Sequence, residues 1–280
     1  MSAGKLSIVG TPIGNLGDAS PRMREALAEA DVVLCEDTRV TSKLMAHFDA
    51  HTALERCDEN VIASRVAGVL ARLARGERVA LVSDAGMPAV SDPGQLLVDA
   101  VLDAGYEVEV VPGPSAVTAA IALSGLDSAH FFFEGFLPRK AGEQKRRLEE
   151  LAHVPGTLVV YESPKRAAKT LAAIAEVMGE RRVALVREIT KLHEEVVRGG
   201  AAELADEIAA RGELKGECVI VVEAPGERAA VLDEDALGEA IAAGLAAGEP
   251  KSALAKRLAR ESGLSRSEVY ERVLAAADSR

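Results

Sequence analysis

Residues Arg78–Gly94, RVALVSDAGMPAVSDPG, constrain the fold more than any other stretch. The apolar, partly β-branched run Val79–Val82 predicts a buried strand. It breaks at Ser83-Asp84-Ala85-Gly86, and Pro88 and Pro93 delay any return to helix. From Gln95 the side chains of Leu96, Leu97, Ala100, Val101 and Ala104 fall on one helical face. Strand, turn, helix is the layout in which an α/β protein holds a ligand beyond the carboxyl ends of its strands. This connection is about twice the usual length, which favours a ligand loop over an ornate structural turn.

Two further stretches repeat the arrangement. Leu6–Val9 runs into Gly10-Thr11-Pro12-Ile13-Gly14-Asn15-Leu16-Gly17, and Glu107–Val111 into Pro112-Gly113-Pro114-Ser115-Ala116. The first loop lacks the G-x-G-x-x-G spacing and has no Gly-Lys-Ser/Thr, so dinucleotide and P-loop readings fail. Ser115 stands where it can cap the helix Ala116–Leu123, whose free amides suit an anionic group. Ser20-Pro21 opens a helix over Arg22–Ala30. The strand Val32–Leu34 ends in Cys35-Glu36-Asp37-Thr38-Arg39, read either as polar groups facing a cleft or as a salt bridge with a cap at Thr38. Asp58–Arg75 reads as one long helix.

Beyond residue 126 the strands crowd together at Phe131–Phe133, Thr157–Tyr161, Val183–Val186, Val196–Gly200 and Cys218–Glu223, predicting a mixed sheet with some antiparallel pairing. Ala224-Pro225-Gly226 reads as a linker before helices over Asp233–Ala246, Ser252–Glu261 and Ser265–Ala275. The expected organisation is α/β: a parallel-sheet domain over 1–114, a mixed-sheet domain over 115–225 and a helical tail over 226–280.

With 280 residues and a net charge of −11, the chain is not expected to adhere generally to nucleic acid or anionic membranes. The absence of tryptophan and the scarcity of aromatics argue against a stacking-based single-strand binder. Basic residues nevertheless cluster at Arg139, Lys140, Lys145 and Arg146. In the stretch Lys251–Arg280 seven basic residues outnumber four acids. These make Arg139, Lys140, Lys145, Arg146, Lys256, Arg257 and Arg266 candidate RNA contacts, with a solvated helix face as the plainer alternative. Cys35, Cys57 and Cys218 form no CxxC pair and are expected to be reduced thiols of a cytoplasmic protein. His47 and His51 make a poor metal pair, and no metal is expected. No apolar stretch reaches membrane-spanning length.

Taken together, eight motifs in order resemble the tetrapyrrole-methylase superfamily. They are Gly10–Leu16, Cys35–Arg39, Ser83–Pro88, Ser91–Gly94, Pro112–Ala116, Phe136–Arg139, Tyr161–Pro164 and Arg187-Glu188-Ile189-Thr190-Lys191. Within it the chain is most similar to the bacterial branch acting on small-subunit ribosomal RNA, over about residues 1–225 and in its basic tail. Met87 departs from the threonine more usual in that branch, and Lys165 from a histidine.

The resemblance implies a homodimer of two α/β domains with S-adenosylmethionine in the cleft between them. It places the cofactor role on Pro12, Ile13, Asp84, Gly86, Met87, Pro88, Ser115, Ala116 and Tyr161. It further implies transfer of a methyl group to the ribose 2′-hydroxyl of a cytidine in 16S rRNA. A hydroxyl is a poor nucleophile, so a nearby base or cation would help. Asp37 and Glu36 are the candidate bases, with Arg39 and Lys191 as electrostatic partners. Two alternatives remain open at this point: a methylase of a tetrapyrrole or corrin precursor, and a non-catalytic ribosome-assembly factor.

Overall fold

A computed structural model describes residues 4–90, 94–226, 234–262 and 264–278. Ser91, Asp92 and Pro93 of one motif, Asp233 at the expected start of a tail helix, Gly263 and Arg280 lie outside the described residues. The chain divides into two compact units, Met1–Ala224 and Pro225–Arg280.

The larger unit begins with β1 (Lys5–Val9), α1 (Pro21–Glu29), β2 (Val32–Cys35), α2 (Thr38–His47) and β3 (Leu54–Arg56). It continues through α3 (Ile62–Ala74), β4 (Arg78–Leu81), α4 (Gln95–Asp103) and β5 (Glu107–Val111). These strands form a parallel sheet in the order β3-β2-β4-β1-β5. Helices cover both faces, so adjacent residues of the inner strands β2, β4 and β1 are mostly buried but pack in opposite directions. Val32, Leu34, Val79 and Leu81 meet Val69 and Leu73 of α3 and Leu97 of α4. Val33, Cys35 and Ala80 meet Met23 and Leu27 of α1 and Met45 of α2.

A second sheet follows, built from β6 (Phe131–Phe136), β7 (Thr157–Glu162), β8 (Arg182–Arg187), β9 (Glu195–Gly200) and β10 (Cys218–Val222). Its order is β6-β7-β10-β8-β9. β6 and β7 are parallel, whereas β10 runs antiparallel to both of its neighbours and β9 antiparallel to β8. The sheet is mixed, as the close spacing of its strands implies. On one face lie α6 (Ala141–Leu151), α7 (Ala167–Met178) and α8 (Ala201–Ala210), packed on Leu158, Val160, Leu185 and Ile220. The other face packs on α5 (Ala116–Ser124) and on Ile13 from the loop after β1, which ties the two sheets into one unit.

Three local expectations differ from the structure, and one strand, β3, was not expected. Asp37, not Thr38, is the N-cap of α2, because its carboxylate accepts the Arg39 amide at 2.8 Å. Ser115 occupies the N-cap position of α5 without a side-chain cap bond. The helix expected from Asp58 starts at Ile62, since the Asp58 carboxylate is taken by Arg56 and by the Asn60 amide in a local turn. The three-residue β3, carrying Glu55 and Arg56, has too little apolar pattern to announce itself and sits at the sheet edge.

The smaller unit contains α9 (Glu234–Ala246), α10 (Lys251–Ser262) and α11 (Arg266–Asp278). Leu237, Ile241, Leu254, Leu258, Val269 and Val273 form its own buried core. Among the described residues no helix is long and apolar enough to cross a membrane.

Candidate functional site

The order of the first sheet sets β4, β1 and β5 side by side, so the three glycine loops emerge next to one another. They are also bonded together. Thr11 and Gly86 exchange backbone hydrogen bonds at 2.9 and 3.1 Å, and Gly10 N–H donates to Val111 O at 2.9 Å. Gly113 N–H donates to the Met87 sulfur at 3.3 Å. Glycine is obligatory where these loops meet. A Cβ on Gly10 would stand 2.6 Å from Gly113 N and from the Met87 sulfur, and one on Gly113 2.7 Å from the Gly10 carbonyl carbon. Gly86 has φ 84°, in the left-handed region that favours glycine.

These loops form one wall of a pocket of about 450 Å³, within the range usual for cofactor sites. Ile13, Ala85, Gly86, Met87 and Val90 line this side, with Ser115 and Ala116 at the start of α5. The second sheet supplies the opposite wall through Phe136, the stretch Tyr161–Pro164, Ile189 and residues 216–219. The Tyr161 ring packs edge-on against Phe133 at 4.8 Å and is tilted against Phe136 at 5.6 Å. Phe136 itself is 64% exposed, an apolar face open at the pocket.

Six of the nine residues assigned to the cofactor by resemblance therefore line one cavity: Ile13, Gly86, Met87, Ser115, Ala116 and Tyr161. Pro12, Asp84 and Pro88 lie on the same loops but not in the lining. Asp84 serves as a brace. Its carboxylate accepts the Asp37 amide at 3.1 Å, and its own amide donates to Glu36 Oε1 at 3.4 Å, linking the loops after β2 and β4.

None of the four candidate catalytic side chains lines the pocket. Besides capping α2, the Asp37 carboxylate takes the Arg39 guanidinium at 2.6 Å, and these hydrogen bonds hold it well below the usual carboxylate range. Lys191 lies closest to the cavity. Its Nζ donates to Glu188 Oε1 at 2.8 Å and to Glu217 Oε2 at 3.0 Å, and Glu217 is a lining residue. Partial burial opposes the Lys191 charge, but the two carboxylates outweigh it and raise its pKa above the lysine norm. Its stem also fills the space beside Gly14 of the first loop.

Sequence reasoning singled out no role for several lining residues, among them Glu217, Glu162 and Phe136. Glu162 was visible only as part of a motif, yet its carboxylate is buried at the end of β7. It accepts from the Ser163 amide at 2.7 Å and from Thr170 Oγ1 at 2.6 Å, with Arg166 3.4 Å away. Gln144 closes the network on Thr170 at 3.0 Å. Phe136 was visible only as the first residue of the motif Phe136–Arg139, and nothing in its spacing separates a pocket face from core.

Of the basic residues, Arg139 and Arg146 are exposed. Lys140 pairs with Glu143 and Lys145 with Glu176 on the surface. In the smaller unit Lys256 is exposed, Arg257 pairs with Glu249 and Arg266 donates to Ser252. Among the described residues no group of three or more His, Cys, Asp or Glu side chains is arranged to hold a metal ion.

Residues 5–205 match the family model described as Tetrapyrrole (Corrin/Porphyrin) Methylases. Ribosomal RNA small subunit methyltransferase I of Xylella fastidiosa is 45% identical, over 95% of this chain and 98% of that protein. The Thermotoga maritima protein of the same name is 44% identical over 78% of this chain and 98% of its own length. Among solved structures, uroporphyrin-III C-methyl transferase from Thermus thermophilus, complexed with S-adenyl homocysteine, has a TM-score of 0.56. That likeness, at 22% identity, covers 79% of this chain and 97% of that one and is a likeness of fold. A family match across most of the larger unit, joined to full-length relatives and a shared two-sheet architecture, leaves one assignment: the chain belongs to the tetrapyrrole methylase family.

Proposed function

We propose that this chain transfers a methyl group from S-adenosylmethionine to small-subunit ribosomal RNA, at the ribose 2′-hydroxyl of a cytidine. The observation that carries the reading is the 45% identity, along nearly the whole of both chains, to a protein named for methylation of that RNA. The pocket supports the cofactor. It is large enough, the close approach of Gly10 and Gly113 holds its loops together, and it offers apolar faces at Ile13, Met87 and Phe136 beside the helix start at Ser115 and Ala116.

On this reading Ile13, Gly86, Met87, Ser115, Ala116 and Tyr161 hold the cofactor, and Pro12, Asp84 and Pro88 keep the loops in shape. S-adenosylmethionine supplies a methyl group already activated by its sulfonium. The protein's task is alignment and exclusion of water. Lys191, held protonated between Glu188 and Glu217, stabilises negative charge developing on the acceptor oxygen. Glu217 lines the pocket with its Oε2 on Lys191, which makes it the better placed proton acceptor. Asp37, Glu36 and Arg39 then act as positioning groups through Asp84. Arg139, Lys140, Lys145 and Arg146, with Lys256, Arg257 and Arg266 in the smaller unit, meet RNA phosphates. Surface pairs such as Lys145–Glu176 exchange readily for phosphate. Edge strands β5 and β6 expose Val110, Phe131 and Phe132, which supports self-association as a homodimer.

The test is methyl transfer from labelled S-adenosylmethionine to three acceptors: small ribosomal subunits lacking the modification, free 16S rRNA and a uroporphyrinogen-type tetrapyrrole. Label on subunits or rRNA supports the reading. Label on the tetrapyrrole alone replaces it with a small-molecule methylase.

A further inference from the structure

Leu192 is 93% exposed, the most exposed large apolar side chain among the described residues. An isolated exposed leucine ordinarily means nothing. This one differs in how it is presented. It sits between β8 and β9 on a turn in which Glu188 and Thr190 adopt φ 52° and 64°, a costly conformation for any residue with a Cβ and most of all for a β-branched one.

The turn is held by side chains from three directions. Thr190 N–H donates to Glu194 Oε2 at 2.6 Å, and Thr190 Oγ1 to Asp18 Oδ2 of the first loop at 2.7 Å. Lys191 is fixed between Glu188 and Glu217, and Glu188 Oε1 also accepts the Glu217 amide at 3.0 Å. The bonds that fix Lys191 also hold the turn that carries the next residue, Leu192, out into water beside the pocket. The turn also borders the pocket, because Ile189 and Glu217 line it.

We propose that Leu192 is a substrate-contacting residue, an apolar wedge against which a nucleobase of the RNA acceptor packs when its ribose is delivered to the pocket. The inference rests on the proposed RNA substrate and adds how that substrate is gripped. A ribose hydroxyl within folded RNA reaches an enclosed cavity only when its nucleotide leaves the stack, which uncovers the faces of neighbouring bases. Apolar side chains inserted at such a step cover the exposed face and hold the opened geometry. Leu192 stands on a bonded turn that borders the cavity, flanked by the cation Lys191 and by exposed His193. Phe136 and Val90, 64% and 51% exposed in the pocket lining, offer apolar surface to the displaced nucleotide itself.

The experiment compares wild type, Leu192→Ala and Leu192→Met for kcat and KM on small subunits, S-adenosylhomocysteine Kd by titration calorimetry, and Tm. The expected result for Leu192→Ala is a loss of about tenfold to thirtyfold in kcat/KM, the size of one leucine's worth of apolar contact. Cofactor-product affinity stays within about twofold of wild type and Tm is unchanged, as an exposed site dictates. Leu192→Met restores most of the rate. Wild-type kcat/KM in Leu192→Ala overturns the proposal, as does a matching loss of S-adenosylhomocysteine affinity. A wild-type protein that labels neither subunits nor rRNA, while still binding S-adenosylhomocysteine, overturns the RNA reading itself and this wedge with it.

Discussion

Replacing Gly113 by alanine tests whether close packing of the loops builds the pocket. Gly113 has an ordinary φ, so the variant carries no backbone penalty and its effect is purely steric. The new Cβ would stand 2.7 Å from Gly10 C and 2.8 Å from its Cα and O, where ordinary contact begins at 3.4 Å. All three atoms are backbone, so the loops after β1 and β5 must part by about 0.7 Å. That movement strains the Gly10–Val111 bond and pulls Gly113 N–H from the Met87 sulfur. Overpacking of this kind costs about 1–3 kcal/mol, which lowers Tm by about 2–10 °C in a protein of this size. Because Ile13 and Ser115 sit on the displaced loops, S-adenosylhomocysteine affinity falls about tenfold or more. Gly68→Ala in α3 is the control: its Cβ meets nothing within 4 Å, and the helix gains about 1 kcal/mol. Calorimetric titration and thermal melts of both variants decide the matter. Gly113→Ala with wild-type affinity and Tm would refute the reasoning.

Lys191→Met should cut methyl transfer about a hundredfold with S-adenosylhomocysteine affinity little changed, read from single-turnover rates and calorimetry; equal losses in both would make Lys191 a binding residue. A chain ending at residue 224 should bind S-adenosylhomocysteine as the full chain does, because every pocket residue lies between 13 and 219, while needing higher subunit concentrations for transfer and showing a shallower salt dependence. Burial pushes the Cys57 and Cys218 thiols up to about 11. Both folded values lie above the unfolded thiol value, so the associated stability is intact below about pH 9 and drains away as pH rises toward 11. Urea midpoints should therefore fall between about pH 8.5, where an ordinary thiol titrates, and about pH 10.5, and Cys57→Ala/Cys218→Ala should flatten that fall.

Most of the fold is legible in the sequence because burial on both faces of each sheet leaves continuous apolar runs. Val79–Val82 and Cys218–Val222 are such runs, and the helices between them carry their own apolar stripes. β3 escapes notice because an edge strand of three residues with two charges has no pattern to show. Half of the pocket is legible for a different reason: loops that approach backbone to backbone require Gly and Pro, as at Gly10, Gly86 and Gly113, and those residues stand out. The other half is not. Glu162 and Glu217 are ordinary glutamates until β7 and β10 pair and set Tyr161 against Val219. Asp37 and Arg39 stand out as a polar cluster, but whether such a cluster faces a ligand or caps a helix is decided by a contact of 2.8 Å that spacing does not encode. The exposure of Leu192 is likewise set by the turn at Glu188 and Thr190, two residues whose identity gives no sign of a left-handed backbone.

The most direct test of the central claim is nucleoside mass spectrometry of 16S rRNA from unmodified small subunits incubated with the protein and isotope-labelled S-adenosylmethionine. The account predicts labelled 2′-O-methylcytidine as the product, formed about a hundredfold more slowly when Lys191→Met replaces the wild type. A label found on a base, or on no nucleoside while S-adenosylhomocysteine still binds, would contradict it.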